Sequence, residues 1–145
     1  MPIGAPTWTF LRHHPVTVAL VAAAGNVPAH LVGGVIRDRL LGLPATDLDA
    51  VVERDGLRIA ERLAEVLPAR LVLLGGKAFG AYRLIGPHGT LDLWDREGST
   101  LYHDLARRDF TVNAIALDLV EGVVSDPFDG QRDLHDRVLR AVTPA

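Results

Sequence analysis

The chain has 145 residues, of which 48% are hydrophobic and 23% are charged, values typical of one globular domain. Its formal net charge of −3 is not that of a dedicated nucleic-acid binder, which usually carries a basic excess. The absence of cysteine excludes disulfides and thiolate metal sites, and it fits a cytoplasmic protein.

The first 28 residues are predicted to form a helical lead-in to the first strand. Arg12 is the only Asp, Glu, Lys or Arg before Gly33. Residues 8–24 are predicted to be helical, with a restart at Pro15, because proline suits a first helical turn. The apolar run 16–24 is too short to span a membrane and follows no basic cluster, so a buried helix is favoured over a signal peptide. We therefore expect no membrane partner.

Residues 30–53 contain a strand, a turn, a helix and a second strand that begins Asp47-Leu48-Asp49. Side chains alternate along a strand, so Asp47 and Asp49 project from one face while Leu48 projects from the other. No Lys or Arg lies between the two carboxylates, which repel each other unless a cation binds. Hard oxygen ligands of this kind suit Mg²⁺, which commonly takes one or two carboxylates and completes its shell with water and phosphate.

The turn before this strand is formed by Gly33 and Gly34. Two glycines at the start of a helix can expose backbone N–H groups to an anionic phosphate. Arg37 lies three residues after Gly34, about one turn into the predicted helix and close to the same end. A phosphate site beside a carboxylate pair is typical of nucleotidyl transfer. A diglycine turn or a strand-end Asp-x-Asp alone would more often be structural.

The middle of the chain is predicted to add a helix over 56–67, capped by Asp55, and a strand over 70–74. Lys77 is interpreted as a solvated turn lysine. Residues 79–85 and 90–95 are predicted to form a hairpin. Asp92 and Trp94 share one face of its second strand, so Asp92 is a candidate third carboxylate if this strand lies beside Asp47 and Asp49. The alternatives are an exposed strand-edge aspartate, or Asp95 in its place.

A second polar motif follows a predicted short helix over 101–108. It reads RRDFTVNA over 107–114 and supplies two guanidinium groups, an aspartate and an asparagine. A guanidinium presents a rigid fork of donors to phosphate, and Asp or Asn can bond ribose hydroxyls. Residues 115–119 and 123–125 are predicted to form a last hairpin. The segment DPFDGQRDL then turns into a short helix, with a closing strand over 138–142.

Three segments together carry a resemblance to a known family. LVGGVIRDRLLG followed by TDLDAVV, the RRDFTVNA motif and DPFDGQRDL resemble the catalytic head domain of class II tRNA nucleotidyltransferases and bacterial poly(A) polymerases. The resemblance implies an α/β (α+β) nucleotidyltransferase head of the polymerase-beta-like type. Its expected architecture is a mixed sheet of about five strands backed by helices, with the active site on the exposed face.

The resemblance also implies roles for individual residues. Two Mg²⁺ ions are expected on the carboxylates, both bound by Asp47 and Asp49, with Asp92 completing the ion that activates the attacking hydroxyl. The expected nucleotide-binding residues contact the triphosphate or the sugar, with Arg108 as the main contact of the second motif: Gly33, Gly34, Arg37, Arg107, Arg108, Asp109 and Asn113. The implied reaction transfers a nucleotide from CTP or ATP to the 3′ end of tRNA and releases pyrophosphate.

Two departures from the family pattern bear on function. Family members continue into helical neck, body and tail domains, which select the base and hold the tRNA, so residues 1–145 are interpreted as a single head domain from a longer protein. Only fourteen residues separate Asp92 from Arg107. Family members that add the terminal adenosine usually carry a longer loop there, so the short interval indicates CC addition.

The alternatives remain open at this point. The chain could be a head that binds NTP·Mg²⁺ without turnover on its own, or a poly(A) polymerase head. A nucleotidyltransferase acting on small molecules or proteins is a more remote alternative, because the complete RRDFTVNA motif argues against it. The oligomeric state is not predicted.

Overall fold

The computed structural model describes residues 5–75, 80–96 and 99–142, with side chains described from residue 7 onward. The elements within these ranges follow one another as α1 (Ala5–His13), α2 (Pro15–Ala24), β1 (Ala29–Val32), α3 (Gly34–Leu40), β2 (Asp47–Val52), α4 (Gly56–Val66), β3 (Arg70–Leu74), β4 (Ala81–Gly86), β5 (Gly89–Asp95), α5 (Leu101–Ala106), a 3₁₀ turn (Thr111–Asn113), β6 (Ala116–Asp118), β7 (Val124–Ser125) and α6 (Gly130–His135). None of the helices in these ranges is both long and apolar enough to cross a bilayer.

The strands form one mixed sheet in the order β3-β4-β5-β2-β1-β6-β7. β2 and β5 are parallel, and every other neighbouring pair is antiparallel. The mixed sheet with helices confirms the predicted fold class. The described part of the chain contains seven strands where about five were expected, because the short β6 and β7 extend the sheet beyond β1.

One face of the sheet packs against helices in the main hydrophobic core. Leu48, Ala50 and Val52 of β2 point into this core, as the alternation predicted. Leu20 of α2 and Leu63 of α4 are fully buried opposite the sheet. Full burial of a leucine contributes about 1.5–3 kcal/mol, so this face supplies most of the driving force for folding.

The other face of the sheet carries a smaller core and leaves part of the sheet uncovered. Val32, Val51, Ala116, Leu105 of α5 and Ala114 form this second cluster. Phe128 and Val142 pack against it. The cluster covers the sheet around β1, β2 and β6, so the polar side chains of β2, β4 and β5 on the same face lie beside it and can reach solvent.

The prediction that the Asp55 side chain caps α4 is wrong. Asp55 occupies the N-cap position, but its φ of +61° differs from the extended backbone of a side-chain cap, and it makes no cap hydrogen bond. The Gly56 amide instead donates to Oδ2 of Asp95, at 2.8 Å. Asp95 at the end of β5 therefore anchors the helix, which distinguishes it from Asp92.

The predicted closing strand over 138–142 is also wrong. Among the described residues this stretch makes one isolated bridge, Phe110 to Ala141, because its neighbour leaves the extended conformation at the 3₁₀ turn. The segment is nevertheless attached at both sides of that bridge. The Thr111 amide donates to the Arg140 carbonyl at 2.9 Å, and the Val142 amide donates to the Asp109 carbonyl at 3.0 Å. The predictions for Lys77 and Phe79 lie outside the described residues.

A buried carboxylate reinforces this attachment. Asp133 of α6 is 5% exposed and accepts a hydrogen bond from the Thr111 hydroxyl at 2.7 Å. Arg140 donates to both oxygens of the same carboxylate, at 3.1 and 3.4 Å. The Thr111 hydroxyl is the first cause of a lowered Asp133 pKa, and Arg140 is the second. Contacts from the C-terminal part of the described chain thus hold the RRDFTVNA motif in place.

Candidate active site

The parallel pairing of β2 with β5 places Asp49 directly opposite Asp92. Side chains of paired residues project from the same face of a sheet, and neighbouring strands lie about 4.8 Å apart. The predicted proximity of the two carboxylates is therefore found. Asp47 lies two residues before Asp49 on the same face, exposed to solvent and opposite Thr90.

The electrostatics of Asp49 reflect this grouping. Burial raises the pKa of its carboxyl, and the charges of Asp92 and Asp47 raise it further. Arg108 and Arg83 act in the opposite direction. An ionised carboxylate in this position is stabilised by an added cation, and a set of hard oxygen donors fits a divalent ion such as Mg²⁺.

The three carboxylates are not already gathered into a coordination shell. Within the described part of the chain, no group of three or more acidic or histidine side chains is arranged to hold a metal ion. Asp92 is paired instead with an arginine that the sequence analysis did not single out. Arg83 of β4 lies opposite Asp92 and donates from Nε to Oδ1 at 2.8 Å and from Nη2 to Oδ2 at 3.0 Å.

A cavity of about 360 Å³ lies between the diglycine turn and the RRDFTVNA motif; we call it the glycine cavity. Its lining includes every predicted nucleotide-binding residue except Arg107, together with one of the carboxylates: Gly33, Gly34, Arg37, Asp49, Arg108, Asp109 and Asn113. The structure thus brings together two motifs that are about seventy residues apart in the sequence.

The conformation of Gly33 allows this close approach. Its φ is +73°, and a Cβ atom there would lie 3.1 Å from Nη1 of Arg108 and 3.6 Å from Oδ2 of Asp49. The Gly33 amide donates to the Ile115 carbonyl at 3.3 Å. This amide is therefore engaged by the backbone, while the expected phosphate contact of the two glycines stays a prediction. Gly33 contributes space between Arg108 and Asp49.

A chain of hydrogen bonds fixes the polar side chains of the glycine cavity. Arg37 donates from Nη1 to Oδ1 of Asn113 at 2.7 Å, and Asn113 donates from Nδ2 to Oδ1 of Asp109 at 3.2 Å. The Asn113 bond and the Phe110 amide lower the pKa of Asp109, in that order. The helix that begins at the glycines is thereby connected to the second motif through Arg37.

A second cavity, of about 580 Å³, lies on the other side of Asp49; we call it the carboxylate cavity. Its lining contains the facing aspartates and both arginines of the second motif: Asp49, Asp92, Trp94, Asp95, Asp104, Arg107 and Arg108. Arg107 is 72% exposed here and lies outside the glycine cavity, with Asp104 at 3.8 Å. Arg108 is 22% exposed and bonds Asp104 at 3.2 Å.

Sequence reasoning missed three residues of this site: Arg83, Trp94 as a cavity residue, and Asp104. Arg83 was recoverable, because a two-residue hairpin turn fixes which residues of β4 and β5 face each other. Asp104 lies four residues before Arg108, a spacing that places both on one side of a helix. No comparable signal distinguished Trp94 from an ordinary core residue.

Comparison with known proteins identifies the family of the chain. The poly A polymerase head domain family matches residues 29–93 and 94–140. A CC-adding tRNA nucleotidyltransferase of Synechocystis sp. is 42% identical over 116 residues, which cover 79% of this chain and 28% of that protein. A multifunctional CCA protein of Pseudomonas fluorescens is 37% identical over 134 residues, which cover 79% of this chain and 30% of the Pseudomonas protein.

A solved structure shares both the sequence similarity and the fold. It is a tRNA nucleotidyltransferase in complex with a primer tRNA and an incoming ATP analogue, with a TM-score of 0.77 and 36% identity. The match covers 88% of this chain and 39% of that one. The chain therefore spans less than a third of the two curated relatives and about two fifths of this structure. Proteins of this kind generally use divalent metals. Since the family profile covers more than half of the chain, the chain belongs to the poly A polymerase head domain family, the head of class II tRNA nucleotidyltransferases.

Proposed function

We propose that this chain is the catalytic head of a nucleotidyltransferase that adds nucleotides from CTP or ATP to the 3′ end of tRNA. The observation that carries the proposal is that Asp49 and Arg108 line both cavities. A phosphate bound by Arg108 in the glycine cavity would lie beside the carboxylates on which a metal ion is expected. Residues 1–145 would form the head, and the remaining length of the relatives would supply the neck, body and tail.

Asp47, Asp49 and Asp92 would hold two Mg²⁺ ions. Bound there, the ions would supply charge neutralisation of the attacking and leaving oxygens of an in-line displacement. In that reaction the tRNA 3′-hydroxyl oxygen bonds to the α-phosphorus, the bond from this phosphorus to the bridging oxygen breaks, and pyrophosphate leaves. The hydroxyl proton passes to water.

The other residues of the glycine cavity would position the nucleotide. Arg37 is held by Asn113, and Arg108 is held by Asp104, so both guanidinium groups are oriented before a phosphate arrives. Preoriented donors act without reorganisation, and positioning is the main contribution of the protein in phosphoryl and nucleotidyl transfer. Asp109 and Asn113 would bond the ribose. We assign the phosphate contact to Arg108 rather than Arg107, because Arg107 lies outside the glycine cavity.

The choice between CC addition and full CCA addition is a separate part of the proposal. The interval of fourteen residues between Asp92 and Arg107 supports CC addition, and so does the similarity to the Synechocystis protein. The similarity to the Pseudomonas protein supports full CCA addition. A tRNA substrate is consistent with a cytoplasmic location. A poly(A) polymerase head has the same residues and remains the alternative.

The experiment is nucleotide transfer to a tRNA that lacks its 3′ CCA, with labelled CTP and Mg²⁺. The unmodified chain should label the tRNA, and Asp49→Asn should not. Glu61→Gln, which removes one carboxylate from the outer helix α4, is the matched control and should behave like the unmodified chain.

A second outcome would identify a binding head without turnover. In that case no tRNA is labelled, but CTP still binds in a Mg²⁺-dependent manner that Asp49→Asn abolishes. Absence of both transfer and Mg²⁺-dependent CTP binding would contradict the proposal.

A further inference from the structure

Arg83 forms a bidentate ion pair with one member of the carboxylate cluster, which we define as Asp47, Asp49 and Asp92. It lies in the middle of β4, opposite Asp92 on β5. Its Nε and Nη2 atoms each donate to a different oxygen of Asp92, at 2.8 and 3.0 Å. A guanidinium that bonds both oxygens of a carboxylate in parallel is the strongest ion-pair geometry available to proteins. Both oxygens of a predicted metal ligand are thus already engaged.

The influence of Arg83 extends beyond Asp92. Arg83 lies opposite Asp92 on β5, and Asp92 lies opposite Asp49 on β2. Paired residues project from the same face of a sheet, so the guanidinium of Arg83 shares a face with the carboxylates of Asp49 and Asp47. Arg108 also faces Asp49, but it bonds Asp104 as well. Arg83 therefore neutralises part of the charge that a bound cation would neutralise.

We propose that Arg83 is an internal substitute for the metal: its guanidinium holds Asp92 while the site is empty and must release an Asp92 oxygen when a divalent cation binds. This inference rests on the proposed function, because it takes the carboxylate cluster to be the metal site. Its consequence is that Arg83 weakens the binding of free metal. A cation that brings a triphosphate gains further ligands and contacts to Arg37 and Arg108, which offset the cost of releasing Asp92.

The test measures binding of Mn²⁺, as a substitute for Mg²⁺, to the chain without nucleotide, with free Mn²⁺ quantified by electron paramagnetic resonance. Arg83→Gln should bind Mn²⁺ about tenfold more tightly than the unmodified chain, which equals about 1.4 kcal/mol. Arg132→Gln is the control, because it removes a positive charge that pairs with Asp136 on the exposed side of α6, at 3.9 Å and outside the cluster. It should leave Mn²⁺ affinity unchanged.

Two further variants separate competition for Asp92 from the simple loss of a positive charge. Arg83→Lys keeps the charge but replaces the fork with a point contact, so it should tighten Mn²⁺ binding about threefold. In an Asp92→Asn background, Arg83→Gln should have little effect, because the contested ligand is gone. A charge effect through space would leave Arg83→Lys unchanged and would persist in the Asp92→Asn background.

Thermal unfolding provides a readout independent of affinity. Without metal, Arg83→Gln should have a lower Tm than the unmodified chain, and Mn²⁺ should raise its Tm by more. If Arg83→Gln does not fold, Arg83→Lys carries the same comparison. If Arg83→Gln binds Mn²⁺ as tightly as the unmodified chain or more weakly, the role of Arg83 is overturned and the proposed function stands. Failure of the unmodified chain and of every Arg83 variant to bind Mn²⁺ overturns the metal site, and the inference with it.

Discussion

Replacing Gly33 with alanine tests whether the space between Arg108 and Asp49 is needed for nucleotide binding. Two costs follow from the structure. The backbone at φ +73° disfavours any side chain, which costs about 1–3 kcal/mol of folding stability. For a domain of this size, each kcal/mol lowers Tm by about 2–4 °C. In addition, the new methyl would lie 3.1 Å from Nη1 of Arg108, so the guanidinium must move by a few tenths of an ångström.

This displacement should weaken nucleotide binding more than folding. A charge-assisted hydrogen bond is worth about 1.5–3 kcal/mol, and its complete loss would correspond to a roughly 10- to 150-fold change in Kd. Because Arg108 can adjust, we expect the low end of this range, about tenfold. Calorimetric titration with CTP and Mg²⁺ measures it.

Gly25→Ala is the matched control. Gly25 has a φ of +60°, similar to that of Gly33, but a Cβ there has no neighbour within 4 Å. Both variants should lose stability, while only Gly33→Ala should lose affinity. If Gly33→Ala binds CTP within twofold of Gly25→Ala, the close approach of Arg108 and Asp49 has no part in nucleotide binding.

Two other predictions follow from the same cavities. Without metal, Asp49→Asn should have a higher Tm than the unmodified chain at neutral pH. The pKa of Asp49 is raised, so the folded state holds the Asp49 proton more tightly than the unfolded state does. The stability of the unmodified chain therefore falls as the pH rises from the ordinary pKa of 3.8 through the raised pKa. Tm measured against pH should show the difference disappearing below 3.8, and a lower Tm for Asp49→Asn at pH 7 would contradict the electrostatic argument. Arg108→Ala should weaken CTP and ATP equally in calorimetric titrations, because it would touch phosphate and not the base, and a tenfold difference between the two nucleotides would show that this head reads the base.

Local patterns were enough to predict most of the elements, and they placed Asp92 beside Asp47 and Asp49 on the condition that the two strands are neighbours, which the pairing of β2 with β5 fulfils. The period of two around Asp47 and Asp49 gave the correct buried face of β2 because that face packs on helices. The two-residue turn after Gly86 fixes the register of β4 and β5 that places Arg83 opposite Asp92, although the sequence analysis did not use this turn. Caps and strand ends were less predictable, since Asp95 rather than Asp55 bonds the start of α4.

Contacts between distant segments depended on topology that no local pattern contains. Arg37 reaches Asn113 because β1 pairs with both β2 and β6, which brings the residues after β1 next to those before β6. The engagement of the Gly33 amide by Ile115 has the same origin. Similarly, the stretch 138–142 has the composition of a strand, but the described segment that it bridges leaves the extended conformation after Phe110.

The attachment of Thr111 to the C-terminal part of the described chain sets how far a working fragment must extend. The sheet is complete at Ser125, so a protein cut there would retain all seven described strands. It would nevertheless lose Asp133 and the Arg140 carbonyl, which hold the side chain and amide of Thr111, and with them the support of Asn113 two residues later. A working fragment must therefore extend at least to residue 142, seventeen residues after the last described strand.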